Sequence, residues 1–359
     1  MKALILLQGQ NVDPVTEWMI EPFKSKKFEL QFQLNLKIDI QLVESFKSVL
    51  NFLETQRYDI VFIATSWKEN VKDTLELFAT IHKLHVRPKI VYLDSFDQTS
   101  SPFFGIIPYV DLYLKKQILR DRSLYVQGFK TGYIFADFVA DYYKANFQDW
   151  HFGSLIDESC IEKIALGWNL ATANKLVKVV RFDLMRRLTK FSSRTIDIHY
   201  RVSLANPDDK GVYYNIHREA IYSNLKPLCE TYQVICAAGK SARVPLKQYR
   251  AEMKNAKLAV SPFGWGEVTD RDYEIVLNET LLIKPDMSHL ETEPNIYVEG
   301  KTYVPVKWDL SDLTKICDYY LKHPQEAETI AKQAKAEYFR WFQEKQFVNK
   351  IKQILDQMF

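Results

Sequence analysis

Residues 261–286, SPFGWGEVTDRDYEIVLNETLLIKPD, decide how the chain is read. An apolar run ends at Ser261 and Pro262, two glycines flank Trp265, and a helix opens with Asp270, Arg271 and Asp272 before a second apolar run. A plain strand-to-helix connection needs far less. Gly264 and Gly266 leave the main chain bare, so a ligand can approach backbone amides. Acidic residues in the first turn suit the positive end of the helix dipole, and Thr269 or Asp270 can cap it. Arg271 and Glu274, three residues apart, share one side of that helix.

Outward from this stretch the same grammar recurs. Residues 195–202, 233–238, 258–262 and 281–285 read as strands, and 213–229, 246–254 and 271–279 as the helices between them. The first half repeats it with strands at 2–7, 59–64, 89–94 and 111–116, nearly continuous in branched and aromatic residues, as strands covered on both faces require. Helices are expected at 42–55 and 70–82, where apolar residues recur every three or four positions. Strands alternating with helices imply parallel sheets between helical layers. The expected fold is therefore α/β, with two Rossmann-like domains facing a cleft. Residues 171–194 read as a linking helix. From 311 onward the chain is helix-compatible, broken at Pro324, and its last helix is expected to cross back to the first domain. The expected division is 1–180, 181–340 and a returning helix at 341–359.

Composition narrows the class. With 359 residues there is length for two cores, and no apolar run approaches the roughly 18 residues of a membrane span. MKALILLQGQ reads as a first strand rather than a signal peptide, which makes the cytoplasm the expected location. Four cysteines without CxxC spacing argue against a zinc site or disulfide framework. A net charge of +3 is too small to imply nucleic acid. The basic C-terminal helix and Arg186-Arg187 read as solvated faces, with peripheral contact to an acidic membrane the second reading. Seven histidines show no metal-ligand spacing, and no phosphate-binding P-loop or dinucleotide GxGxxG occurs. Neither a cofactor nor a metal is expected.

In open parallel sheets, ligands sit beyond the carboxyl ends of the strands. Three such ends in the second half carry unusual polar residues. Arg201 closes the first strand, with Lys210-Gly211 ahead of the next helix; Gly239, Lys240 and Arg243 follow the second strand; the opening stretch is the third. Arginine and lysine suit phosphate oxygens, although solvated cations and plain turns also explain the first two. His289, after the strand that follows the Arg271 helix, can reach a ligand there. In the first half, YLDSFDQTSSPF ends a strand in a polar cluster, where Asp97, with Asp94 in reserve, is the candidate general base; an Asx-turn is the alternative reading. Gly9 and Gln10 follow the first strand and are candidate acceptor contacts.

Strand, SPFGWGE, a helix with RDYE and then LLIKPD resembles the donor-site segment of GT-B glycosyltransferases, with the exostosin-like and spore-coat-like branches nearest. HYR and Lys210-Gly211 are similar to the arginine and lysine-glycine of the first C-terminal strand and loop in that fold. The resemblance covers about residues 195–323. It implies a nucleotide-sugar donor held by Arg201, Lys210, Lys240, Arg243, Gly264, Trp265, Gly266, Arg271, Glu274 and His289. Arg271 would face the diphosphate and Glu274 the ribose. Glu267 and Glu274 are one residue closer than the paired glutamates of many retaining members, so only Glu274 is carried over. The implied reaction is metal-independent sugar transfer to a glycan or glycolipid hydroxyl in bacterial surface polysaccharide synthesis. A nucleotide-sugar epimerase or hydrolase, or a non-catalytic nucleotide-sugar-binding protein, would use the same donor site.

Overall fold

The structure is a computed structural model and describes residues 1–8, 14–24, 33–43, 46–169, 189–206, 213–343 and 345–359. Gly9, Gln10, Lys210 and most of the expected linking helix lie outside these residues.

The first half forms a six-stranded parallel sheet from β1 (Lys2–Gln8), β2 (Lys37–Val43), β3 (Ile60–Thr65), β4 (Lys89–Asp94), β5 (Leu112–Lys115) and, beyond the short β6 (Gln117–Leu119), β7 (Ile164–Leu166). Its order is β2-β1-β3-β4-β5-β7. Residues 3–6, 60–64 and 90–93 are fully buried, which explains their unbroken apolar character. The expected helix at 42–55 is shorter, because KIDIQLV forms edge strand β2 ahead of it. A half-exposed edge strand alternates apolar and polar residues instead of running continuously apolar. Its longer described helices are α1 (Pro14–Lys24), α2 (Phe46–Thr55), α3 (Val71–His82) and α4 (Ile134–Tyr142). Asn70 caps α3, its side chain accepting from the Lys72 and Asp73 amides, while Leu77, Phe78 and Ile81 face the sheet.

The second half forms a five-stranded parallel sheet from β8 (Ile196–Val202), β9 (Val234–Ala238), β10 (Ala256–Val260), β11 (Leu281–Pro285) and, after β12 (Leu290–Thr292), β13 (Val304–Val306), in the order β13-β11-β10-β8-β9. Helices α5 (Tyr213–Leu225), α6 (Leu246–Asn255) and α7 (Asp270–Leu277) connect its strands. Three helices close the chain: α8 (Leu313–Lys322), α9 (Pro324–Gln343) and α10 (Gln346–Met358), with Pro324 opening the second of them. Helix α10 returns to the first sheet, where Phe347 packs edge-on against Phe23 at 5.2 Å and Trp168 at 4.9 Å.

Among the described residues, a strand pair and a side-chain seam are prominent in holding the sheets face to face. Strand β12 of the second half pairs antiparallel with β6 of the first. There Arg120 donates from its backbone to His289 O at 2.8 Å and from its guanidinium to Leu290 O at 3.1 Å. The second is a largely aromatic seam, with Phe135 of α4 edge-on to Phe263 at 4.8 Å. Tyr273 donates across it to Asn169 O at 2.6 Å, and Thr99 to Glu267 Oε1 at 3.2 Å.

Gly266 sits against the first half at the Asp97 backbone. A Cβ there would overlap the Asp97 carbonyl, so this glycine is set by the approach of protein backbone as well as by any ligand. Gly266→Ala is expected to push the halves apart. The loss of stability should be about 1–3 kcal/mol, the scale of overpacking, and should appear in denaturant unfolding as a lower midpoint.

Candidate active site

A cavity of about 290 Å³ opens between the carboxyl ends of the two sheets. Asp97 and Lys116 line it from the first half; Arg218, Trp265, Gly266, Asp270 and Arg271 line it from the second. Their placement follows from local structure. Strand β4 ends at Asp94, and a short polar loop carries Asp97 to the rim. Lys116 follows β5 and is 2% exposed, with its Nζ 2.6 Å from Asp97 Oδ1. Asp97 also accepts from Gln117 Nε2 through its backbone carbonyl, so the loop is held at both main chain and side chain.

Helix α7 supplies the other wall. Thr269 is its N-cap, and Asp272 reaches back to accept from the Thr269 amide at 3.0 Å in a capping box. Asp272 also accepts from Tyr297 and pairs with the fully buried Lys284 at 3.1 Å. The middle of the Asp270-Arg271-Asp272 triplet therefore faces the cavity while its third member anchors the helix from below.

Arg271 is joined by an arginine that the sequence did not single out. Arg218, on α5, donates to Phe263 O at 3.1 Å and Ser203 O at 2.7 Å, and its guanidinium lies 4.4 Å from the Tyr214 ring centroid. Burial, then the charge of Arg271, pulls the Arg218 guanidinium down to about 10. Two guanidiniums held close enough to repel make a site ready for an anion. Burial, then Arg271, likewise lowers His199 to about 4, so that imidazole is neutral at physiological pH.

Asp270 opposes them on the same wall. Asp270 is exposed at the rim, where water screens part of the effect, yet desolvation by its crowded surroundings and then the Asp97 carboxylate push its carboxyl up to about 7. A carboxyl that exchanges its proton near neutrality can act as acid or base.

The remaining expected residues divide. Trp265 is 41% exposed at the cavity mouth and packs edge-on to Tyr214 at 5.5 Å. Gly264 abuts the Arg218 guanidinium, where a Cβ would stand 3.1 Å from Nη2. Glu274 is one turn behind Arg271 and outside the cavity lining, with the Tyr249 hydroxyl set against both. Arg201 corrects the expectation of an open cation: its fork closes on Glu252 at 2.6 and 3.0 Å. Lys240 and Arg243 are exposed beside the turn Gly239–Ala242 and do not line the cavity. His289 lies in the seam, 3.7 Å from Glu267 and edge-on to Trp308, rather than in the cavity.

Asp94 is the clearest correction. Fully buried, it accepts from Tyr113 at 2.6 Å, from the Phe96 amide at 2.8 Å and from Lys115 at 3.2 Å, so no acceptor hydroxyl reaches it. Lys116 had a signal in the sequence, because paired lysines ending an apolar strand call for partners. Arg218 had none, being one cation on a mostly polar helix. Among the described residues, no group of three or more His, Cys, Asp or Glu is placed to hold a metal ion, and no helix is long and apolar enough to cross a membrane.

Residues 218–356 match the family model described as glycosyl transferase-like, a segment that begins at Arg218 and runs into α10. Comparison with curated proteins found no match. Solved structures similar over nearly the whole chain include Anabaena HepE in complex with UDP-glucose, at 12% identity and a TM-score of 0.43 over 98% of this chain and 99% of that one. Sucrose-phosphate synthase from Thermosynechococcus elongatus is similar at 11% identity and a TM-score of 0.48, covering 100% of this chain and 99% of that one. MnaA of S. aureus with UDP aligns at 8% identity and a TM-score of 0.46, over 99% and 97% of the two chains.

The Asp270 shift has a stability consequence of definite sign. The folded state holds its proton to about pH 7, whereas an unfolded aspartate releases it near 3.8. The group's stabilising contribution is therefore complete below the unfolded value and is lost as pH rises toward 7. Asp270→Asn should leave the thermal midpoint nearly unchanged at pH 4 and raise it relative to the wild type at pH 8. Equal midpoints at both pH values would remove the strained carboxyl.

Proposed function

We propose that the protein is a GT-B glycosyltransferase that moves a sugar from a nucleotide-sugar donor to a hydroxyl of a glycan or glycolipid. The observation that carries this reading is the convergence of Arg218 and Arg271 on one cavity, at the N-terminus of α7, with Asp97 on the opposite wall. The donor diphosphate lies between the two guanidiniums and the first amides of α7. Its ribose runs toward Glu274 and Tyr249. The division of labour follows 1–180 for the acceptor, 181–340 for the nucleotide sugar and 341–359 as the returning helix.

As the bond from the sugar's anomeric carbon to phosphate breaks, its electron pair passes to the diphosphate, and the two arginines stabilise that growing charge. The acceptor oxygen forms the new bond to the same carbon. On an inverting route its proton goes to the Asp97 carboxylate, which Lys116 holds in place at 2.6 Å. On a retaining route the leaving phosphate takes the proton. The reading assigns no cofactor and no metal, since the cations are side chains of the protein. It places the enzyme in the cytoplasm, in the synthesis of a bacterial surface polysaccharide and at the inner face of the membrane. Lys240 and Arg243 then meet the donor only at its outer edge, whereas Lys210 as a donor contact and Gly9 and Gln10 as acceptor contacts lie outside the described residues.

Calorimetric titration with UDP and with GDP tests the donor half. Arg218→Ala and Arg271→Ala should each weaken binding by about 1–3 kcal/mol, the scale of a charge-assisted hydrogen bond. Unchanged affinity in both would refute the site. Asp97→Asn should bind nucleotide as the wild type does yet lower kcat by about 10²–10⁴. Rapid turnover of the nucleotide sugar with no acceptor present would identify an epimerase or hydrolase instead.

A further inference from the structure

A second cavity, about 340 Å³, adjoins the first and shares Asp97 and Trp265 with it. Its other described walls are Trp67, Phe96, Phe152, Ser95 and Gln98. Four of these seven residues are aromatic. Trp67 follows β3 and is 53% exposed, an unusual position for the largest apolar side chain. Phe96 and Phe152 meet with ring centroids 5.6 Å apart.

Each polar side chain in this wall has at least one partner within the protein. Ser95 Oγ is 2.9 Å from Thr16 Oγ1, and Gln98 Nε2 donates to the Tyr213 hydroxyl at 3.4 Å. Tyr213 in turn donates to the Trp265 carbonyl at 2.7 Å, and the shared indole packs edge-on against Tyr214 at 5.5 Å. Asp97 is thus the only ionisable group among the described residues of the wall. The wall offers a sugar's hydroxyls few fresh hydrogen-bond partners, so apolar contact dominates what it can give a ligand. Four aromatic faces suit a flat apolar ring, stacked or edge-on.

We propose that this cavity is an acceptor subsite for an aromatic ring placed next to the reacting hydroxyl, with Trp67 as its main contact. The inference rests on the glycosyltransferase reading for the role of Asp97, but the subsite itself is defined by its own walls. It narrows the acceptor from any glycan or glycolipid to one that carries an aryl group beside its hydroxyl.

The test uses the full chain and binding of three probes, methyl, octyl and phenyl β-glucoside, by saturation-transfer NMR competition, with and without UDP. The phenyl compound should bind about tenfold tighter than the methyl compound. Trp67→Ala should erase that preference and Trp67→Phe should restore most of it, while UDP affinity stays within about twofold of the wild type. Equal affinity for phenyl and methyl probes, tighter binding of the octyl probe than the phenyl one, or a preference that survives Trp67→Ala would each overturn the proposal. If UDP fails to bind the wild type but the Trp67-dependent preference is present, the donor assignment falls and the aromatic subsite stands.

Discussion

The contact between Gly266 and the Asp97 carbonyl is the constraint on which the site depends. It brings a loop of the second sheet against a loop of the first so closely that no side chain fits at position 266. Because the contact is made through main chain, it sets the Asp97 backbone against the loop that leads into α7 and leaves the carboxylate uninvolved. The carboxylate remains turned to the cavity on Lys116, and the guanidinium of Arg271 lines the opposite wall. The β6–β12 ribbon supports the same closure from the side, so the two halves meet along a surface and not at a point.

Beneath the cavity, each sheet buries one ion pair near its carboxyl edge. Lys115 meets Asp94 at 3.2 Å, and Lys284 meets Asp272 at 3.1 Å, all four side chains fully buried. Burial pulls both ammonium groups below their ordinary range against the pull of their partners. Such pairs contribute little net stability, since desolvation offsets much of the attraction. Their effect here is positional: Asp272 holds the first turn of α7, and Asp94 holds the turn that leads to Asp97. The residues one step outward, Lys116 and Arg271, are the ones presented to the cavity. Buried pairs thus orient the groups that would do chemistry.

Much of the fold was legible in the sequence because its signal is local. The runs at 60–65, 89–94 and 281–285 are mostly apolar because both faces are covered, and each is a strand whose few charged residues, Lys89, Asp94 and Lys284, stand at or near its ends. Edge strand β2 escaped notice because half exposure mixes its pattern, and the neighbouring helix period extends into it. The site was legible only in part. Arg271 and Asp97 stand at element ends, where position alone suggests a role. Arg218 is recognisable only when α5 is seen leaning on the glycine loop, a relation between residues 45 or more apart in the chain. Arg201 and Asp94 both stand at strand ends in the sequence, yet each has a partner that arrives from elsewhere: Glu252 on α6 for one, Tyr113 and Lys115 on β5 for the other.

The account stands or falls on whether Arg218 and Arg271 grip one anion together. A double-mutant cycle for UDP binding, measured by calorimetry on the wild type, Arg218→Ala, Arg271→Ala and the double variant, reads this directly. Two side chains on a shared diphosphate should show a coupling of at least about 0.5 kcal/mol. Losses that simply add, or a double variant that binds UDP as tightly as the wild type, would contradict it.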